Sequence, residues 1–146
     1  MNSTTNFKFR GTATSAEYAD LAERYETDAE YEAGTVVKLG GTNEITQTLN
    51  QADEDVFGVI STAPGFEMNA SAGTDATHPF VALAGRVPCK VIGKVVKGDR
   101  IISSSTPGTA IAHKGDSPDY RPIIGRALQS KDTEEEGTVE VVVGAK

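Results

Sequence analysis

The stretch PFVALAGRVPCKVIG, residues 79–93, decides the fold of this 146-residue chain. Every second position of this stretch is apolar, the period of a β-strand with one buried face. Arg86 and Lys90 have the opposite parity and therefore face solvent. Gly85 and Pro88 indicate a bulge or a sheet edge, because proline has no N–H to give to a neighbouring strand. The residues predicted to point into the core are Val81, Leu83, Val87, Cys89 and Val91.

Similar strand patterns follow one another from Gly34 to the end of the chain. They are separated by glycine and proline turns, such as Gly40-Gly41, Gly98-Asp99 and Pro107-Gly108. In the final strand Val139, Val141 and Val143 share the buried face. Residues 66–78 have no periodicity and are predicted to form a flexible loop. About eight short strands at regular spacing predict an all-β fold, a small antiparallel barrel or sandwich.

One helix is predicted ahead of the sheet, over TSAEYADLAERY, residues 14–25. Thr14 and Glu17 have the spacing of a capping box, and apolar residues recur at helical intervals after them. A helix of about three turns is not stable alone, so its apolar stripe must rest on the sheet or on copies of the chain. The polar side chains of the opposite face are Glu17, Asp20, Glu23 and Arg24. The predicted oligomer interface is Tyr18, Leu21, Ala22 and Tyr25.

Residues 1–13 are predicted to form an extended N-terminal arm, and residues 14–146 a single β-rich domain. Phe7, Lys8, Phe9 and Arg10 alternate apolar and basic groups in an otherwise polar segment. Such an arm cannot bury its two phenylalanines by itself, so we expect a partner to order it. These four residues are the predicted anchor to a capsid protein or to a neighbouring subunit. The alternative is that Phe7 and Phe9 begin the domain's own sheet.

The composition argues against several classes of protein. The net charge of −7, without a basic stripe, argues against nucleic-acid binding. A single cysteine, Cys89, rules out a disulfide within the chain and a cysteine-based zinc site. The segment MNSTTNFKFRGT lacks the apolar run of a signal peptide, and no stretch has the length of a membrane span. We therefore expect synthesis in a cytoplasm and no membrane partner.

The residues that usually carry catalysis form no recognisable motif, so the sequence predicts no enzyme, no cofactor and no metal site. His78 and His113 fall in loops or at strand ends, and Cys89 is expected to be a buried, inert thiol. The acidic runs at residues 53–55 and 134–136 lack the spacing of a calcium loop and are expected to be solvated turns. The serines at residues 103–105 have no visible general base.

Three runs of sequence, taken in order, resemble a known module. They are ATSAEYADLAERYETDAEYEAGTVV (13–37), DVFGVISTAPGFEMNA (55–70) and VALAGRVPCKVIGKVVKGDRIISSS (81–105). Together they resemble the C-terminal, peptidase-G2-like module of fibre and appendage proteins in tailed phages, common in marine and cyanobacterial phages. The resemblance covers about residues 12–143. It implies a β-rich, usually trimeric unit that caps or decorates a virion, and some relatives cut themselves from their parent fibre.

These features together lead us to expect a non-enzymatic structural protein of a tailed-phage virion, made in the bacterial host cytoplasm. Because only a short arm precedes the module after Met1, we expect a homotrimeric capsid decoration, or cement, protein bound to the major capsid protein or another virion protein. One alternative is a tail fibre or appendage component that contacts tail proteins or a host receptor. Others are an autoproteolytic or chaperone-like fibre maturation domain and a sugar-binding module, the latter disfavoured because the chain has no tryptophan.

Overall fold

The structure, a computed structural model, describes residues 19–115 and 119–146. Ten strands form one continuous sheet in this part of the chain. The first five are β1 (Asp20–Arg24), β2 (Val36–Leu39), β3 (Ile45–Gln47), β4 (Val56–Ser61) and β5 (Phe66–Met68). The others are β6 (Phe80–Val91), β7 (Arg100–Ser103), β8 (Ala110–Ala112), β9 (Ile123–Ala127) and β10 (Gly137–Val143). The described residues contain no helix, and hence none that is long and apolar enough to cross a membrane.

Five of the strands close into a barrel in the order β6, β10, β9, β7, β8 and back to β6. The seam between β6 and β10 is antiparallel and runs from Val91↔Gly137 to Gly85↔Val143. Most other pairings of the sheet are antiparallel, whereas β6–β8 and β1–β5 are parallel. The all-β prediction is therefore confirmed. Of the two predicted alternatives, barrel and sandwich, the structure has a barrel, which one parallel pairing closes.

The barrel interior is filled by valine, isoleucine and alanine side chains. Val139, Val141 and Val143 of β10 are buried there, as predicted. Val87, Cys89 and Val91 of β6 meet them from across the seam, also as predicted. The other buried members of this cluster are Val36, Val59, Ala82, Val95, Ile101, Ala110, Ile124 and Ala127.

A second, smaller apolar cluster lies where β6 leaves the barrel and pairs with β4 and β1. Val81 is buried in this second cluster, and Leu83 is only partly buried against it. The register with β1 slips between Ala82 and Ala84, so the strand gains one residue there. This bulge lies next to Gly85, as the sequence indicated. Because the bulge shifts the alternation, Val81 and Leu83 do not share the core of Val87, contrary to the single buried face predicted for the strand.

The predicted helix over residues 14–25 is wrong where the structure describes it. Residues 20–24 form β1, which pairs antiparallel with β6 and parallel with β5. Asp20 and Ala22 are buried and Leu21 is exposed, which is the alternation of a strand. Helical spacing of apolar groups is a weak signal, and pairing with a neighbouring strand has overridden it. Residues 14–18 lie outside the described part of the chain.

The segment predicted as a flexible loop, residues 66–78, contains a short edge strand, β5. The remainder is bonded to Arg24 of β1. The guanidinium of Arg24 donates to the backbone oxygens of Ala70 (2.8 Å) and His78 (2.6 Å) and to a carboxylate oxygen of Asp75 (2.9 Å). It also stacks 4.0 Å from the ring centre of Phe80. The loop therefore has a specific attachment to the sheet.

Candidate functional site

A cavity of about 600 Å³ lies between parts of β4 and β6 that are not paired with each other. One wall is the Arg86–Pro88 segment of β6, and the other is the end of β4 with the turn that follows it. Gly34 bridges the two walls, since its N–H donates to Ile60 O (2.9 Å) and its carbonyl accepts from Lys90 N–H (3.0 Å). The volume falls within the range of about 300–1,000 Å³ that ligand-binding clefts occupy.

The carboxylate of Asp20, at the start of β1, is buried at the wall of this cavity. Asp20 is 4 % exposed. Its Oδ1 accepts a long hydrogen bond of 3.3 Å from Gly65 N–H, whose stronger bond, 2.9 Å, goes to the Asp20 carbonyl. Its Oδ2 has no hydrogen-bond partner among the described residues and exposes less than 1 Å². A buried carboxylate with an unpaired oxygen costs free energy, because it has lost water without a full replacement.

Two further charged side chains line the cavity. The guanidinium of Arg86 lies 3.6 Å from the carboxylate of Glu140, and these side chains are 49 % and 25 % exposed. A contact of this length and exposure is weak and allows the guanidinium to exchange partners. Since the charged lining residues are Asp20, Arg86 and Glu140, the formal charge of the wall is −1.

The rest of the lining combines hydroxyls with an apolar floor. Ser61, Thr62 and Thr138 supply the hydroxyls, and Ile60, Val87 and Pro88 supply apolar surface. Such a lining can hold a group that carries hydrogen-bond donors or a positive charge on an apolar body. Within residues 19–115 and 119–146, no three histidine, cysteine or acidic side chains come close enough to hold a metal ion.

The predicted oligomer interface is only partly described, because Tyr18 lies outside the described residues. Leu21 is 38 % exposed and is paired in register with Phe66 of β5, which is 58 % exposed. Ala22 is buried within the subunit. Tyr25 is half-buried, with its ring edge-on to Phe57 at 4.8 Å. Its pKa is raised to about 12 by burial and by the hydrogen bond to Glu23. Of the three described residues, Leu21, Ala22 and Tyr25, only Leu21 is exposed.

The predicted anchor residues Phe7, Lys8, Phe9 and Arg10 also lie outside the described part of the chain. The anchoring role and the oligomer contact both stay predictions.

The other residues considered in the sequence analysis are either buried in the core or bonded within the fold. Cys89 is buried in the barrel, and burial raises the pKa of its thiol to about 12, so the thiolate is strongly disfavoured. Ser103 is buried, and its hydroxyl donates to Asn50 O (2.7 Å) and accepts from Asp53 N–H (2.9 Å). Asp53 forms an ion pair with Lys38 at 2.8 Å. His78 lies 3.0 Å from the Thr77 hydroxyl. The contacts of Ser103 and Lys38 join the loop at residues 50–53 to strands β7 and β2, whereas the contact of His78 lies within its own loop.

Asp20 is the site residue that the sequence reasoning missed. The helical reading placed Asp20 on a polar, solvent-facing side, whereas the strand turns it inward. The available signal was its position two residues before Ala22, since a strand gives alternate residues the same face. That signal was hidden because DLAER, residues 20–24, fits a helix as well as a strand.

Comparison of the sequence with protein-family models gave no match, and comparison with curated proteins gave none. Solved structures do match the fold. The C-terminal fragment of gene product 12 of bacteriophage phi29 is 16 % identical, with a TM-score of 0.61, over 85 % of this chain and 99 % of that one. The N base of head fibre gp8.5 of bacteriophage phi29 is 12 % identical, with a TM-score of 0.52, over 85 % and 93 % of the two chains. At these identities the likeness establishes a shared fold.

Proposed function

We propose that this chain is a structural protein of a tailed-phage virion without enzymatic activity, and that it decorates the capsid as a homotrimer. The observation that carries the proposal is the fold. Two phi29 proteins, one of which is a head fibre protein, each match 85 % of this chain. The sequence resemblance to phage appendage modules leads to the same class of protein along an independent route.

The attachment surface in this proposal is the N-terminal arm, with Phe7 and Phe9 as apolar anchors and Lys8 and Arg10 as charged flanks. Burial of two phenylalanines in a partner contributes roughly 2–3 kcal/mol each, which offsets the entropy lost when the arm becomes ordered. The partner is the major capsid protein or another virion protein.

The experiment is electron microscopy of particles carrying the tagged protein. Gold label against the tag should decorate the head, and particles that lack the protein should bind purified protein added back. Removal of residues 2–10 should abolish this rebinding and leave the oligomer intact in sedimentation. A matched control replaces Lys8 and Arg10 with glutamine and leaves both phenylalanines in place. Full rebinding of the truncated protein would contradict the anchoring role.

A second candidate, a terminal module of a fibre or other appendage, is favoured by one specific observation. The match to gene product 12 is to a C-terminal fragment, and this chain covers 99 % of it. In that case the gold label should lie at the end of a fibre or on the tail. Intact mass measurement of the purified protein tests self-cleavage, since a maturation domain would yield a mass below that of the full chain.

A further inference from the structure

The cavity between β4 and β6 has in its wall a buried carboxylate, that of Asp20, with one unpaired oxygen. Asp20 is 4 % exposed, and its Oδ2 has no hydrogen-bond partner in the part of the chain that the structure describes. Bringing a carboxylate out of water costs several kcal/mol unless a cation or several donors compensate. Arg86, the nearby cation of the lining, is half-exposed and lies 3.6 Å from Glu140 instead. Residues 19–115 and 119–146 therefore supply no group that donates to this oxygen of Asp20.

We propose that this cavity binds a lysine or arginine side chain of a partner protein, with Asp20 as the carboxylate that receives its charge. Ile60, Val87 and Pro88 line the same cavity and suit the methylene stem that both side chains carry. The wall has a formal charge of −1 before the side chain enters. The volume of about 600 Å³ leaves room for the residues that flank the inserted one.

The overall charge favours the same kind of occupant. The chain has 21 acidic and 14 basic residues, so a basic segment is attracted before it makes contact. Because Oδ2 exposes less than 1 Å², the lining must move aside slightly when the cation reaches it. The cavity would accept such a side chain whatever assembly contains the protein.

The test is an NMR titration of the full-length protein with Nα-acetyl-lysine methylamide. The control probe is Nα-acetyl-norleucine methylamide, which has a similar stem without the amine. We expect saturable shifts at Gly34, Ser61 and Arg86 with the lysine probe, at an affinity in the millimolar range, and none with the control. A free amine, n-butylamine, should bind more weakly than the lysine probe, because it lacks the flanking amides that the cavity has room for.

Two variants should move the affinity in opposite directions. Asp20→Asn keeps an oxygen for Gly65 N–H but removes the charge, so it should weaken binding about tenfold or more. Arg86→Gln removes the competing cation, so it should strengthen binding roughly two- to threefold. Asp132→Asn is the matched control, since its side chain is 98 % exposed outside the cavity and the change in net charge is the same. It should leave the affinity unchanged.

Thermal unfolding separates the proposal from a purely structural role for Asp20. If no partner inside the chain compensates the carboxylate, Asp20→Asn should fold with a melting temperature equal to or above that of the wild type. Equal binding of the lysine and norleucine probes, or no binding of either, would overturn the proposal. Weaker rather than stronger binding by Arg86→Gln would overturn it as well. A large loss of stability in Asp20→Asn would show that Asp20 serves the fold.

Discussion

Ion pairs between partly buried side chains join loops to strands in this protein. Lys38 of β2 and Asp53 of the loop between β3 and β4 form such a pair, with an N–O distance of 2.8 Å and side chains 23 % and 7 % exposed. Burial alone would raise the pKa of Asp53. The hydrogen bonds from Lys38 and from Asp55 N–H outweigh that effect, and the pKa lies below its ordinary value. The charged form is thus the one that the fold stabilises.

This pair should make part of the stability depend on pH. Because the folded-state pKa of Asp53 is depressed, its contribution is present above the unfolded-state pKa of about 3.9 and is lost as the pH falls through the folded-state pKa. Urea unfolding at pH 6 and pH 2.5 should show a stability difference between wild type and Asp53→Asn that shrinks at the lower pH. The exposed Asp132→Asn variant is the control. A difference that stays constant with pH would contradict the assignment.

At the scale of single elements, the bulge in β6 depends on a close approach of two strands. Gly85 has a φ of +94°, a left-handed conformation that side chains disfavour. A Cβ placed on Gly85 would lie 2.4 Å from the carbonyl oxygen of Ala19, immediately before β1. Conformation and contact both require glycine at this position.

Gly85→Ala should therefore destabilise the protein by more than about 2 kcal/mol, through left-handed strain together with the clash. Gly98→Ala is a matched control, because Gly98 has a φ of +95° but a Cβ there would meet nothing within 4 Å. The difference between the two variants in denaturant unfolding measures the close approach of β1. Equal losses of unfolding free energy in the two variants would show that β1 can move away from a Cβ at residue 85 without destabilising the protein.

Arg24 should be the residue that orders the 69–78 loop. Arg24→Lys keeps the charge but loses the planar fork that reaches Ala70, Asp75 and His78 at once. Hydrogen exchange followed by mass spectrometry should show faster exchange in residues 69–78 and unchanged exchange in the barrel strands. Arg121→Lys, on a side chain 69 % exposed, is the control. Unchanged loop exchange in Arg24→Lys would mean that the loop is ordered by other contacts.

The sequence predicted β10 and the second half of β6 well, because alternate residues there share one buried face. In β10 the buried residues are the alternate valines Val139, Val141 and Val143, as the period of a strand predicts. In β1 the same reasoning failed, since Leu21 and Ala22 fit a helical stripe and only the pairing with β6 decides between the two structures. The cavity could not be predicted, because it lies between residues 60–63 and residues 86–88, and no local sequence pattern shows that these two segments meet.

At the scale of the whole molecule, one outer edge of the sheet leaves apolar surface open. Leu21 and Phe66 are in register on the parallel pair β1–β5, and both are exposed. Ala84, which pairs with Leu21 from β6, is exposed beside them. Exposed apolar groups that lie together are typical of contact surfaces.

If this edge forms the homotrimer contact, Leu21→Asp should weaken the assembly, because a charge would be buried between subunits. Sedimentation at micromolar concentration should shift from trimer towards monomer, with the circular dichroism of the sheet unchanged. Leu39→Asp is the matched control, since Leu39 is 50 % exposed on β2, away from this edge. A wild-type monomer, or a trimer indifferent to Leu21→Asp, would contradict the proposed contact.

The position of β6 also determines when the chain can acquire its structure. Its first half pairs with β1 and β4, which precede it, whereas its second half pairs with β10, the last strand of the sheet. During synthesis the outer strands can therefore assemble early, but the barrel cannot close before residues 137–143 have left the ribosome. Closure between such distant segments is slow, on the order of milliseconds to seconds for sheet proteins of this kind. Until then Val87, Cys89 and Val91 remain open to other chains, so the newly made protein is most vulnerable to aggregation just before its last strand docks.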